Sequence, residues 1–220
     1  MICNVDKLIN KYPTLHYTRS PPNCNFDVIE GNFIVNATPV DLSSTMLLDF
    51  SIYAEMYFDE NIAPIIKETS GKVNSTFPHV NPNGTLCLAV ETEILTECTT
   101  SQGFDVLMWF DKFVLPFFYS FEYYKANKLY PFGERRHGAV GILEFYQEIF
   151  RENDAQKALA LLKYIAYGRY RGHLSCPCGS GKRIRKCHSK AIWNAQVTLS
   201  KVRMLRDYNL IVHEKENYYE

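Results

Sequence analysis

The chain has 220 residues, of which 46% are hydrophobic and 22% charged, and its formal net charge at pH 7 is zero. That length is enough for one well-buried domain of about 150 residues and a small appendage. The abundance of aromatic residues, 14 Phe and 15 Tyr, argues against long disordered stretches. The most apolar stretch, residues 104–121, contains Asp105, Asp111 and Lys112, and charges at these positions argue against a membrane span.

Seven cysteines are present, and the first ten residues lack the basic patch and apolar run of a signal peptide. An odd number of cysteines without a secretory context makes a disulfide framework a poor explanation. We therefore expect reduced thiols and a cytoplasmic location. Four cysteines stand alone in the sequence, and the other three cluster near the C-terminus.

Although the net charge is zero, acidic and basic residues are concentrated in different parts of the chain. Residues 1–154 hold 11 basic and 20 acidic residues, a net charge of −9, whereas residues 155–206 hold 12 basic residues and no acidic ones, a net charge of +12. Such a pattern indicates either a basic segment that meets an acidic partner, nucleic acid included, or a segment that neutralises the acidic domain before it. Both interpretations remain open at this point.

The first half of the chain has the composition of β-strands. Residues 26–37 and 45–58 are rich in β-branched and aromatic residues with partial alternation, which predicts two strands. Residues 76–90 hold two Pro, two Asn and a Gly before a short apolar stretch, which predicts a loop leading into Cys87.

The second half has the periodicity of helices. Apolar residues recur at helical spacing in four segments, which are residues 104–127, 142–152, 155–167 and 192–205. Pro116 should kink or end the first helix, and Asn153 or Asp154 should cap the third. The glycines in residues 130–141 predict a loop there.

Strands followed by a thiol-bearing loop and then helices predict an α+β fold. We expect a main domain over residues 1–168, a joint at residues 168–172, and a C-terminal module over residues 169–220.

The C-terminal module contains four potential soft metal ligands within thirteen residues: Cys176, Cys178, Cys187 and His188. Four such ligands close a tetrahedral zinc site and leave no open position, so the pattern predicts a structural rather than a catalytic Zn²⁺. Gly179 and Gly181 allow the sharp turn that the loop needs, and the Lys and Arg residues between the ligands favour thiolate forms.

The same segment, Cys-Pro-Cys-Gly-Ser-Gly-Lys followed by Cys187-His188, resembles the SEC-C motif, a short zinc-binding module. SEC-C modules occur on many unrelated proteins, so the resemblance implies a zinc knuckle without naming its partner. The basic loop is suited to nucleic acid or to an acidic protein surface.

A second segment, His79-Val-Asn-Pro-Asn-Gly-Thr-Leu-Cys87-Leu, resembles the active-site stretch of ubiquitin-conjugating enzymes. In that family a His-Pro-Asn tripeptide precedes a Gly-x-x-Cys-Leu segment that carries the thioester-forming cysteine. Here Val80 replaces the proline, and Asn81 lies about two residues closer to the cysteine than is usual. The resemblance covers roughly residues 25–150 and implies a β-meander packed with helices.

The resemblance also implies roles for individual residues. Cys87 would carry an acyl group as a thioester, and Asn81 would donate a hydrogen bond to the oxyanion. His79 would hold the loop together, and His137 is a candidate base for the attacking amine. Each has a simpler alternative: a buried core thiol for Cys87, a turn residue for Asn81, and structural or loop histidines for the other two.

Two functions follow from these residues. The first is a prokaryotic ubiquitin-conjugating-like transferase that works with an activating enzyme and a ubiquitin-like protein, with a role in antiphage defence implied by the resemblance alone. The second is an inactive scaffold of the same fold that binds nucleic acid or a partner protein through residues 155–206. The shortened loop between His79 and Cys87 favours the second.

Overall fold

The computed structural model describes residues 2–37, 46–133 and 135–216. The chain forms two compact units, Met1–Glu134 and Arg135–Glu220. The units divide earlier than the residue 168 that the sequence predicts, because the helices over residues 138–167 pack with the C-terminal helices. None of the helices in the described ranges combines the length and apolarity that crossing a membrane requires.

The first unit contains a four-stranded antiparallel meander in the order β2-β3-β4-β5. Its strands are β2 (Leu15–Thr18), β3 (Phe26–Ala37), β4 (Met46–Tyr57) and β5 (Ile65–Glu68). The long pair is in register from Phe26 opposite Tyr57 to Ala37 opposite Met46. The two predicted strands are confirmed, although Thr45, where the second was expected to begin, lies outside the described residues.

A smaller sheet lies in the same unit. Its strands are β1 (Ile2–Cys3), β6 (Thr99–Thr100) and β7 (Gly103–Asp105), in the order β1-β7-β6. Helix α1 (Val5–Lys11) follows β1, and helix α2 (Glu91–Cys98) leads into β6. The sequence did not predict α2, which buries Ile94, Leu95 and Cys98 on one face.

The core of the first unit forms where aromatic side chains of the long strands meet the helix after β7. Phe33 and Phe50 both contact Phe118, with ring centroids 5.2 Å and 4.4 Å apart. All three rings are buried. Aromatic pairs at such separations stabilise the core by about 0.5–1.5 kcal/mol beyond the area they bury.

The predicted helix over residues 104–127 forms, but Pro116 does not end it. Helix α3 (Val106–Trp109) passes through a π-helical turn (Phe110–Val114) into helix α4 (Leu115–Asn127). Proline has no backbone N–H to donate to the carbonyl four residues earlier, as a regular α-helix requires. The π-helical turn just before Pro116 has a different pattern of backbone hydrogen bonds. Pro116 lies in the first turn of α4, where its missing N–H costs little.

The second unit contains helices α5 (Gly138–Phe150), α6 (Ala155–Tyr167), α7 (Ser189–Thr198) and α8 (Lys201–Glu216), with a single 3-10 turn at Ile184–Lys186. Asp154 caps α6 as predicted, accepting hydrogen bonds from the N–H groups of Gln156 and Lys157 at 2.9 and 3.1 Å. The predicted loop before α5 ends earlier than expected, and its Glu134 lies outside the described residues.

The single helix predicted over residues 192–205 is wrong, because the chain forms two. Leu199 adopts an extended conformation and ends α7, and α8 begins two residues later. Ile192, Ala195, Leu199 and Met204 are all buried. Apolar residues on both sides of the break therefore contribute to a core, and their spacing does not reveal the break.

A buried polar network joins α5 to α8. The hydroxyl of Tyr146 donates to Asp207 Oδ2 at 2.9 Å, and Arg203 Nε donates to Asp207 Oδ1 at 3.1 Å. Each of the three residues is at most 3% exposed. Burial, followed by the charge of Asp207, raises the pKa of Tyr146, so the hydroxyl stays protonated and available as a donor.

We expect Asp207→Ala to lower the free energy of unfolding by about 3–5 kcal/mol, because it leaves a buried guanidinium without its carboxylate. Tyr146→Phe should lower it by about 1.5–3 kcal/mol, the value of one hydrogen bond to a charged group. Urea unfolding followed by circular dichroism measures both. Glu148→Ala is the control, because it removes an exposed pair with Arg135 and should cost at most about 1 kcal/mol. A smaller loss for Asp207→Ala than for Tyr146→Phe would contradict the network.

Candidate metal centre and candidate thiol site

The structure brings the four predicted metal ligands together in the second unit. The sulfur atoms of Cys176, Cys178 and Cys187 and a ring nitrogen of His188 all lie within 4.8 Å of one another. The Cys178 and Cys187 sulfurs are 3.6 Å apart, and His188 Nδ1 is 3.3 Å from the sulfurs of both Cys176 and Cys187.

These separations can be compared with those of a tetrahedral zinc site. Zn–S bonds of about 2.3 Å and Zn–N bonds of about 2.0–2.1 Å place two sulfurs about 3.8 Å apart, and a sulfur and a nitrogen about 3.5 Å apart. The measured sulfur–sulfur and sulfur–nitrogen distances, 3.6 and 3.3 Å, are slightly shorter than these. The cluster can therefore hold a metal ion of zinc's size with small movements of the side chains.

The backbone of the loop explains why the ligands converge. Ser175 and Arg183 form an antiparallel bridge, and the Cys176 N–H donates to the Lys182 carbonyl at 2.8 Å. Between these arms the Gly179 N–H donates to the Cys176 carbonyl at 3.1 Å, and Gly179 has a φ of +76°. A residue with a Cβ is disfavoured at this angle, so the tight turn after Cys178 favours glycine.

The thiols of the cluster differ in acidity. Burial raises the pKa of Cys176 to about 12. Burial also opposes ionisation of Cys178, but hydrogen bonds from the hydroxyl and backbone N–H of Ser180, together with those from Cys176 and Cys187, outweigh it and lower the pKa of Cys178 to about 6. Among the groups that favour the Cys178 thiolate, Ser180 contributes most.

Glu152 contacts His188 of the candidate metal-binding cluster, and the sequence did not predict this contact. Its Oε2 lies 3.6 Å from His188 Nε2, the ring nitrogen opposite the one that faces the sulfurs, and both side chains are largely buried. A carboxylate in this place fixes the orientation of a metal-binding histidine and increases its basicity. No local signal reveals Glu152, since it follows α5, far from the motif in sequence.

The predicted thiol site lies on a β-hairpin in the first unit. The Gly84 N–H donates to the Asn81 carbonyl at 2.8 Å to close the turn, and the Asn81 and Cys87 N–H groups donate to the Thr85 and His79 carbonyls at 2.8 and 2.9 Å. The Leu86 N–H donates to the Ile66 carbonyl of β5 at 2.9 Å. The hairpin is therefore an extension of the sheet.

The register of the hairpin decides which side chains share a face. Val80 pairs with Leu86, so His79 lies opposite Cys87. Opposed residues and those two positions along a strand lie on the same face. His79, Asn81 and Cys87 are therefore on one face, and a ring nitrogen of His79 lies within 4.8 Å of the Cys87 sulfur. Leu86 is buried on the other face.

His79 has an aromatic environment. Its ring centroid lies 5.5 Å from that of Phe77 and 5.2 Å from that of Tyr130, and the Tyr130 ring meets it edge to face. Contacts on the ring faces and edges hold the imidazole in one orientation. The loop-organising role expected for His79 is consistent with these contacts.

The side-chain amide of Asn81 is exposed and donates through Nδ2 to the Thr85 hydroxyl at 2.9 Å. One amide hydrogen is therefore used within the turn, and the other remains for a second acceptor. Both the turn role and the oxyanion role predicted for Asn81 are compatible with this geometry.

Cys87 is partly exposed, and burial raises the pKa of its thiol above the ordinary value of 9.0. The thiol is protonated at neutral pH and reactive only when it is deprotonated. Burial is stronger at Cys98, which is fully buried and whose pKa rises to about 12.

His137, the expected base, lies in the second unit at the residue that precedes α5, and its side chain is exposed. Its assignment as a base for chemistry at Cys87 stays a prediction.

Comparison with protein-family models, curated proteins and solved structures finds no match to the chain. The functional interpretation therefore depends on the geometry of the residues themselves.

We expect the purified chain to contain zinc in a ratio of about one per chain when it is prepared without chelators. Cys176→Ser and Cys187→Ser should each remove most of this zinc, because each deletes one of four ligands. Inductively coupled plasma mass spectrometry measures the metal content. Cys24→Ser changes a cysteine of the first unit and should leave the content unchanged. Metal-free protein after anaerobic purification would refute the site.

Glu152→Gln should weaken zinc binding about 10- to 100-fold, the usual effect of removing an outer carboxylate from a ligating histidine. Competition with a chromophoric chelator measures the affinity. Glu148→Gln, which changes the exposed partner of Arg135 on α5, should bind zinc as the unmodified chain does. Equal affinities for the two variants would show that Glu152 does not support His188.

Proposed function

We propose that the chain is a ubiquitin-conjugating-like transferase that carries an activated acyl group as a thioester on Cys87. One observation carries the proposal: the hairpin register places the Cys87 thiol, the His79 imidazole and the Asn81 amide on one face, at a partly exposed position. A nucleophile, an ordering group and an amide donor are the parts that acyl transfer through a thiol requires.

The proposed reaction has two steps. The Cys87 thiol attacks the activated C-terminal carbonyl of a ubiquitin-like protein. This step forms a thioester and expels the activating group, which takes up the thiol proton. A target amine then attacks the thioester carbonyl, and the Asn81 amide donates to the oxyanion. Collapse of this intermediate forms the amide bond and expels the Cys87 thiolate, while the amine loses its proton to a base, for which His137 is the sequence-derived candidate.

The arrangement of the first unit supports the proposal. An antiparallel meander leads through β5 to the thiol-bearing hairpin, and helices follow it. This order is the one that the resemblance to conjugating enzymes implies. An activating enzyme and a ubiquitin-like protein are then the expected partners, and a role in antiphage defence stays a prediction.

We further propose that the metal of the second unit is a structural Zn²⁺. Three thiols and an imidazole are the ligands that zinc prefers, and four protein ligands leave no position for a substrate. The ion would hold both ends of the loop at residues 176–188 together, much as a small domain is stabilised by a metal in place of a large core.

A second candidate function is a scaffold without thiol chemistry. Two observations favour it. Burial raises the pKa of Cys87, which lowers the fraction of reactive thiolate, and one Asn81 N–H is already used by Thr85. A protein of this kind would use the fold of the first unit for binding only.

A ubiquitin-like protein with an electrophilic C-terminus distinguishes the two candidates. For a transferase we expect covalent labelling of Cys87 in the intact chain, and no labelling after Cys87→Ser, as measured by mass spectrometry of the adduct. Cys24→Ser, at another partly exposed thiol, should label normally. Labelling at Cys98, or at no single cysteine, would favour the scaffold.

The rate of labelling should depend on pH. Because folding raises the pKa of Cys87, its alkylation by iodoacetamide should keep rising past pH 9, beyond the midpoint of the unfolded chain. A midpoint below 9 in the folded chain would show that a neighbouring group activates the thiol.

A further inference from the structure

The second unit exposes a tryptophan. Trp193 on α7 is 56% exposed, whereas Trp109 in the first unit is fully buried. Val197, four residues further along α7, is also exposed and extends the apolar strip on the same side of the helix. A large exposed aromatic side chain on a rigid helix is a feature of binding surfaces.

Trp193 is held in place by its neighbours. Its ring meets the ring of Tyr170 edge to face, with centroids 5.9 Å apart. Tyr170 is itself fixed, since its hydroxyl is 2.8 Å from the Ser189 hydroxyl and its backbone N–H donates to Gln196 at 2.8 Å. The aromatic pair is thus ordered before any partner binds, which lowers the entropic cost of binding.

Cations flank this aromatic pair. The Arg185 N–H donates to the Gly172 carbonyl at 3.0 Å. A side chain at position 172 would meet both residues, because a Cβ placed on Gly172 would lie 2.7 Å from the Tyr170 hydroxyl and 3.2 Å from the Arg185 Cβ. Lys190 lies three residues before Trp193 on α7, which places the two side chains on neighbouring positions of one face. Arg185 and Lys190 are exposed, and neither forms an ion pair with any residue in the described part of the chain.

We infer that Trp193, Tyr170, Arg185 and Lys190 form a binding surface for single-stranded nucleic acid. An ordered indole offers a platform on which a base stacks, and the adjacent cations attract the phosphates. A base in a duplex is already stacked and cannot use such a platform, and an acidic protein would need the cations but not the exposed ring. The absence of acidic residues between positions 155 and 206 favours a polyanionic partner further.

Binding of a fluorescein-labelled oligothymidylate to the zinc-loaded chain tests this surface. We expect a saturable rise in anisotropy together with quenching of tryptophan fluorescence. Because Trp109 is fully buried, the quenching reports on Trp193. Affinity should fall as salt rises, with a log–log slope of about −0.7 for each phosphate neutralised.

Substitutions distinguish the contribution of base stacking on Trp193 from that of the positive charges of Arg185 and Lys190. Trp193→Ala should weaken binding roughly 5- to 150-fold through lost stacking, and Trp193→Phe should restore most of it because the aromatic face returns. The double reversal Arg185→Glu with Lys190→Glu should weaken binding and make the salt slope shallower by about 1.4. Lys7→Glu with Lys67→Glu reverses two exposed lysines of the first unit and should bind as the unmodified chain does. Zinc content and circular dichroism confirm that each variant is folded.

Three results would overturn the assignment. The first is failure of the unmodified chain to bind or to be quenched. The second is binding of duplex DNA as tightly as of the single strand. The third is preferential binding of a poly-glutamate peptide that depends on Arg185 and Lys190 but not on Trp193, which would indicate an acidic protein partner. Cys87→Ala should bind the oligonucleotide normally, so the outcome is separate from that of the thioester experiment.

Discussion

Closure of two short antiparallel loops is the constraint on which both candidate sites depend. In each loop a glycine N–H donates to a carbonyl three residues earlier, from Gly84 to Asn81 in the first unit and from Gly179 to Cys176 in the second. Both glycines have positive φ angles, +79° and +76°, which residues with a Cβ rarely adopt. Without these turns the paired arms would separate, and side chains that are distant in sequence would not meet.

The two loops place thiols in opposite chemical situations. At the hairpin, burial raises the pKa of Cys87 and leaves a protonated thiol. In the cluster of Cys176, Cys178, Cys187 and His188, burial likewise raises the pKa of Cys176, whereas hydrogen bonds from Ser180, Cys176 and Cys187 overcome burial at Cys178 and lower its pKa. A thiolate suits a metal ligand, which must be deprotonated to bind. A protonated thiol is a poor nucleophile, so Cys87 reacts only after it loses its proton.

The second unit combines a cluster of three cysteines and a histidine that could hold a metal ion with a helical core. Glu152 contacts His188 from the end of α5, and the buried network of Tyr146, Arg203 and Asp207 ties α5 to α8. The knuckle is therefore supported by the helices and is not an independent appendage.

The sequence by itself determined the four candidate metal ligands, because they lie within thirteen residues and two tight turns are enough to bring them together. It also determined the two long strands and limited the cap of α6 to Asn153 or Asp154, because these signals are local. Only the tertiary structure decided which residues share the face of Cys87, since a change of register by one residue would reverse that face. The contact between Glu152 and His188 was likewise decided by the tertiary structure. Such contacts join positions far apart in the chain, and no local pattern records them.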